Sequence, residues 1–145
     1  MAVVDASVWV SLCHRKDRHH ERSRDWLVSV LESDEALCAP ALFVVEVAAA
    51  IRRLTGSEDH AREVLENLSE LGIVTLIEVT VERSARAAGI AARTAVRGAD
   101  AVYLELAASR DETLVTWDRR QLERGKAVAS VMTPVAPAAG RTGNR

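Results

Sequence analysis

The chain is predicted to fold as an α/β domain, with a central parallel sheet of about five strands flanked by helices. Three observations carry that expectation. Short β-branched apolar runs alternate with longer segments of helical periodicity from one end to the other. Pro, Gly and Ser/Thr/Asp residues stand at the joints between them. The length, 145 residues, suits a single domain with a real core.

The first run is Ala2-Val3-Val4, closed by Asp5 and followed by Ala6-Ser7 and the apolar Val8-Trp9-Val10. It reads as a buried strand turning into a helix, and it is a plausible central strand. His14 to Arg22 is polar and reads as a loop entering a helix, with Asp17 the candidate N-cap. Trp26, Leu27, Val30 and Leu31 recur at helical spacing to about Ser33. Ala36-Leu37-Cys38-Ala39 is the second strand, and Pro40 opens the next helix, where a missing N–H costs nothing.

That helix runs through Leu42 to Ile51 and ends at Gly56. Ser57 caps its successor, whose apolar face is Ala61, Val64, Leu65, Leu68 and Leu71, and Gly72 stops it. Ile73 to Ile77 is the third strand. Thr80 caps an Ala-rich helix from Val81 to about Ala95, and Arg97-Gly98 breaks it. Ala99 to Ser109 is the most apolar helix. Thr113 to Thr116 is the fourth strand, Arg119 to Arg124 a short helix, and Val128 to Met132 the last strand. From Pro134 the composition turns to Pro, Ala, Gly, Arg and Thr, which reads as a disordered tail.

Composition limits the partners. The formal net charge is −2, so no strong global attraction to nucleic acid or membrane is expected, and an anionic ligand needs a local patch. No run is long and apolar enough to span a bilayer. No basic segment precedes the N-terminal run, and Asp5 interrupts it, so a signal peptide is not expected. Cys13 and Cys38 are read as reduced thiols, which fits the cytoplasm. Cys13, His14, His19 and His20 match no zinc spacing and read as a solvated loop.

Four acids stand out among 21. Asp5 and Asp118 each lie just past the carboxyl end of a buried strand, so both project at the same sheet edge. Glu46 interrupts Val44-Val45-Glu46-Val47-Ala48, and Asp100 opens the most apolar helix. Simpler readings stay open: Asp5 and Asp118 could cap helices, and Asp100 could serve a helix dipole. Glu46 resists such a reading, because a buried carboxylate needs an arginine or a cation. Glu105, about 140° round its helix from Asp100, is expected to face out or to pair with an arginine. Four carboxylates together make sense only around a divalent cation, and oxygen-only ligands favour Mg²⁺ or Mn²⁺. Such ions suit phosphodiester hydrolysis.

The chain resembles PIN-domain ribonucleases, and among them the VapC toxins of toxin–antitoxin pairs. The matching pieces are Val3-Val4-Asp5-Ala6-Ser7, Ala39-Pro40-Ala41-Leu42 leading to Glu46, Gly98-Ala99-Asp100-Ala101, and Leu114-Val115-Thr116-Trp117-Asp118. Their order and spacing fit along residues 1–133. The resemblance implies a PIN-like three-layer sandwich over 1–133, with 134–145 as the tail. It implies a Mg²⁺- or Mn²⁺-dependent endoribonuclease whose catalytic, metal-binding acids are Asp5, Glu46, Asp100 and Asp118, supported by Ser7 and Thr116. It further implies a homodimer silenced by a cognate VapB-type antitoxin. Trp9 and Trp117 are bulkier than usual for the family, and Glu105 replaces a smaller residue, but no expected ligand is missing. For RNA the best candidates are Arg119 and Arg120 beside Asp118, with Trp117 as a stacking surface. Arg15, Lys16, Arg18, Arg52, Arg53, Arg93 and Arg97 are further sources of positive charge.

Two other functions compete. A catalytically silent PIN-like module would bind RNA or protein without cutting, and the intact acids speak against it. A phosphotransfer domain using Asp5 would want a second aspartate at position 7, which is serine, or a lysine near a strand end.

Overall fold

The computed structural model describes residues 1–135. The chain opens with β1 (Ala2–Val4), α1 (Ala6–Cys13), α2 (His20–Glu32) and β2 (Leu37–Pro40). Next come α3 (Leu42–Thr55), α4 (Glu58–Leu71), β3 (Val74–Ile77) and α5 (Val81–Thr94). It ends with α6 (Gly98–Arg110), β4 (Thr113–Val115), α7 (Arg119–Arg124), a 3-10 turn (Gly125–Ala127) and β5 (Val131–Met132). The described residues thus form a five-stranded sheet flanked by seven α-helices, as the alternation predicts.

The strand order is β3-β2-β1-β4-β5, and every neighbouring pair is parallel. β1 lies at the centre, with Ala2 opposite both Leu37 and Thr113 and Val4 opposite Val115. Its three residues are buried, as are all four of β2, so these strands read as continuous apolar runs. β3, at the edge, is half exposed. α6 packs on β1, β2 and β4, which explains why its sequence is apolar almost all round. Ser57 and Thr80 cap α4 and α5, accepting from His60 N at 3.1 Å and Arg83 N at 3.2 Å. Gly56 and Gly72 take the left-handed conformation that ends α3 and α4.

Three local expectations are corrected. Pro40 does not open α3; it is the last residue of β2, opposite Ile77. Within β2, β1 pairs only with Leu37 and Cys38, so the Pro40 nitrogen lies past that ladder and needs no hydrogen. Asp17 does not cap α2: its carboxylate accepts from His19 N at 2.7 Å, which makes a turn before the helix begins. The last strand is Val131–Met132 only, because the chain from Gly125 first makes the 3-10 turn. Pro134, where the tail was expected to begin, is buried, and residues 136–145 lie outside the described part of the chain. Among the described residues, no helix is long and apolar enough to cross a membrane.

Candidate active site

From β1 the chain builds outward to β2 and β3, then crosses to the other flank for β4 and β5. The crevice between the carboxyl ends of β1 and β4 is therefore the switch point at which open α/β sheets bind ligands. Asp5 follows β1 there, and Thr116, Trp117 and Asp118 follow β4. α3 brings Glu46 and the first turn of α6 brings Asp100. All four acids line one cleft of about 330 Å³, together with Ser7, Asp17, His19, Arg53, Arg97, Trp117 and Gln121.

Asp5 is 5% exposed. Its Oδ2 accepts from Ser7 N at 3.0 Å, from Ser7 Oγ and from Thr116 Oγ1 at 3.1 Å. Its Oδ1 accepts from Gln121 Nε2 at 3.1 Å. The helix-cap reading and the site reading thus hold together, since the bond from Ser7 N is the cap of α1. Both hydroxyls also receive backbone N–H bonds from the β4 loop: Trp117 N to Ser7 Oγ at 3.0 Å and Asp118 N to Thr116 Oγ1 at 2.9 Å. Ser7 and Thr116 thereby fasten that loop to Asp5. Asp5 has only neutral donors, so burial outweighs them and raises its pKa.

Asp118 caps α7, its Oδ1 accepting from Arg120 N at 2.8 Å and Gln121 N at 3.1 Å. Its Oδ2 accepts from Arg97 Nη2 at 2.5 Å. Arg97 Nε also donates to Asp100 Oδ2 at 2.9 Å. Asp100 Oδ1 in turn accepts from the same Gln121 Nε2 that bonds Asp5, at 3.0 Å. Glu46 is half-buried, as its apolar neighbours required, and accepts from Tyr103 Oη at 2.6 Å. Burial raises its pKa, the Tyr103 bond opposes the rise, and the charges of Asp5 and Asp100 add to it. Burial, then the charges of Asp5 and Glu46, drive the Tyr103 hydroxyl far above its usual range, so it is a fixed donor.

The four acids converge on one cleft but do not close on a common point. Among the described residues, no three Asp, Glu, His or Cys side chains are gathered as an ion would gather them. Gln121 bridges Asp5 to Asp100 and Arg97 bridges Asp100 to Asp118, so donors occupy the space between the carboxylates.

The remaining candidates divide. Trp117 lines the cleft, but His19 stacks on its ring at 3.9 Å between centroids, Arg22 lies 4.8 Å from it, and its Nε1 donates to Ser23 Oγ at 2.8 Å. Arg119 and Arg120 are exposed on α7 outside the cleft wall, and Arg119 pairs with Glu123. Arg53 and Arg97 line the cleft in their place. Glu105 is buried and paired with Arg83 and Arg86 of α5, the second of its two expected outcomes.

Sequence reasoning missed Gln121 and the bridging place of Arg97. The available signal for Gln121 was its position. Helical side chains lean toward the helix N-terminus, so a residue three past the capping Asp118 leans back over the site.

A PIN domain family model matches residues 2–127. The chain belongs to the PIN domain family. Solved structures agree on the fold. VapC20 of Mycobacterium tuberculosis, a sarcin-ricin loop cleaving toxin, has a TM-score of 0.68 at 17% identity, covering 82% of this chain and 91% of that one. VapBC2 of Rickettsia felis, bound to a DNA fragment from its promoter, gives 0.67 at 9% identity over 91% and 97%. A Klebsiella pneumoniae toxin–antitoxin complex gives 0.64 at 16% identity over 94% and 100%. At these identities the likeness is one of PIN fold. No curated protein matches the sequence.

Proposed function

We propose that this PIN-domain protein is a metal-dependent endoribonuclease toxin of the VapC type, hydrolysing RNA phosphodiester bonds and inhibited by a cognate VapB-type antitoxin. One observation carries the reading: carboxylates from four separate elements face one cleft at the sheet's switch point. The fold's likeness to VapC20 and to two toxin–antitoxin assemblies supports the toxin class and the antitoxin partner.

The donor set fits a hard divalent ion. Every candidate ligand is a carboxylate oxygen, and Asp5, buried at 5% exposure, lacks a cationic partner. Asp5, Asp100, Asp118 and Glu46 would hold Mg²⁺ or Mn²⁺. Such an ion supplies a water of lowered pKa and positive charge against the transferring phosphoryl group. The chain's own residues do the rest. Ser7 and Thr116 hold Asp5 in one orientation, and Tyr103 holds Glu46. Arg97 is 60% exposed at its side chain, so it is free to leave the acids and meet a phosphate. Arg53 faces the same cleft, and Trp117 with His19 forms its aromatic wall. A homodimer working in the cytoplasm, with Cys13 and Cys38 as free thiols, belongs to the same reading.

The competing reading, a silent module that binds RNA or protein, draws on Arg97 and Gln121 lying between the acids. One assay separates the two. The purified protein, free of antitoxin, is incubated with a mixed RNA pool in Mg²⁺, Mn²⁺ or EDTA. Metal-dependent cutting that disappears in Asp5→Asn is expected. Intact RNA with folded, ion-supplied protein would leave the silent module.

A further inference from the structure

Gln121 is the only glutamine in the chain, and its side chain is 1% exposed. It touches three of the four acids. Its backbone N–H meets Asp118, and its Nε2 meets Asp5 at 3.1 Å and Asp100 at 3.0 Å. The amide's orientation is dictated by those neighbours, since the reverse would set a carbonyl oxygen against two carboxylates. Yet Oε1, buried with it, has no hydrogen-bond partner among the described residues. Leaving an acceptor buried and unsatisfied costs stability. An apolar side chain of the same volume would avoid that cost, so packing does not account for an amide here.

The clip is also neutral. Arg97 answers the acids with charge, which competes directly with a cation. Gln121 ties Asp5 to Asp100 while leaving their charge in place. An ion shared by these two carboxylates would compete for the oxygens that Nε2 now bonds. Were the amide to turn over when an ion binds, its oxygen would come to the same side as an acceptor for the ion's waters.

We propose that Gln121 is a positioning residue of the cation site: its amide clips Asp5 to Asp100 in the ion-free protein, and its unpartnered oxygen turns to accept from a water held by a bound divalent cation. This rests on the metal-dependent reading above and adds a residue to it. It also gives α7 a purpose beyond its cap, since this short helix carries both Asp118 and the clip.

Calorimetric Mn²⁺ titration tests the idea on the full chain, with melting curves in EDTA to check folding. Wild type binds Mn²⁺ and Asp5→Asn does not; if wild type takes up no Mn²⁺ in an Asp5-dependent way, the nuclease reading itself falls. Given that binding, Gln121→Met is expected to weaken it by about 10- to 100-fold, the usual effect of removing an outer partner of metal ligands. Gln121→Glu, which keeps an oxygen at the same reach, is expected to restore wild-type affinity or better. Wild-type affinity in Gln121→Met overturns the proposal while leaving the nuclease reading intact. Should the Met variant fail to fold, the wild-type protein decides. Selective nitrogen-15 labelling of its single glutamine gives one side-chain amide pair, which is expected to shift on Mg²⁺ addition. A pair that stays in place through Mg²⁺ saturation overturns the proposal.

Discussion

At the scale of single residues, the site is a balance between carboxylates and whatever answers their charge. Asp5 and Glu46 are raised above their ordinary values of 3.8 and 4.5, with burial the largest cause for each. An acid with a raised folded pKa holds more protons folded than unfolded. Its contribution to stability therefore falls as pH climbs from the unfolded value through the folded one. Asp5→Asn removes that penalty, and Asn still serves as an N-cap. In EDTA the variant is expected to be more stable than wild type at neutral pH by about 1 kcal/mol, the usual size of such active-site gains. The gap should narrow on acidification and close on adding Mg²⁺. Thermal melts across pH read it, and a gap that widens in acid would reverse the assignment. Arg97 is the counterpart: its side chain is mostly solvent-exposed, a pair to so exposed a cation is worth about 1 kcal/mol, and so Arg97→Ala should raise Mg²⁺ affinity about fivefold. Unchanged affinity would mean that Arg97 does not compete with the ion.

At the scale of elements, α6 links the site to its support. One end carries Asp100, the middle carries Tyr103, and Glu105 lies buried between Arg83 and Arg86 of α5. The Arg83 side chain is only 15% exposed, so removing its partner strands a charge. Glu105→Leu is expected to cost about 3 kcal/mol in urea denaturation, and adding Arg83→Met should recover most of it. Failure of that rescue would show that the pair acts through packing alone. Gly125 matters for a different reason than its backbone angle. A Cβ there would stand 2.6 Å from Leu104 Cδ2 and 3.1 Å from Val131 Cγ2, so the turn after α7 must pass close to α6. Gly125→Ala should destabilise by about 1–3 kcal/mol, read in the same melts. The elements themselves were largely legible, because Val, Leu and Ala runs alternate so regularly with capped helices. Pro40 was not, since its tolerance in β2 depends on where the β1 ladder stops, a fact of register rather than of local sequence. The four acids were legible by contrast: each interrupts or ends an apolar run. Gln121 sits after two arginines in a polar turn, where nothing contrasts with it, and only the fold reveals that it is buried.

At the scale of the whole molecule, charge decides how RNA would arrive. A net charge of −2 and an acidic cleft give no general attraction, so binding must run through a few arginines. Arg97 is engaged with Asp100 and Asp118, whereas Arg53, in the same cleft wall, makes no ion pair among the described residues. Arg53 is therefore the best-placed cation for a phosphate in the uncleaved complex. Each phosphate neutralised on a single strand adds about 0.7 to the salt slope of log affinity. Two or three contacts predict a slope of about −1.4 to −2, shallow beside that of a basic nucleic-acid-binding protein. Measured in the Asp5→Asn background, so that RNA stays whole, Arg53→Ala should reduce the slope by about 0.7. The loss of affinity should be greatest at low salt, because a phosphate contact is what screening weakens. If the slope is unchanged, RNA does not pass Arg53. The exposed face of α7, with Arg119 and Arg120, then becomes the track, and Arg120→Ala should take the 0.7 instead, as about one released counterion requires.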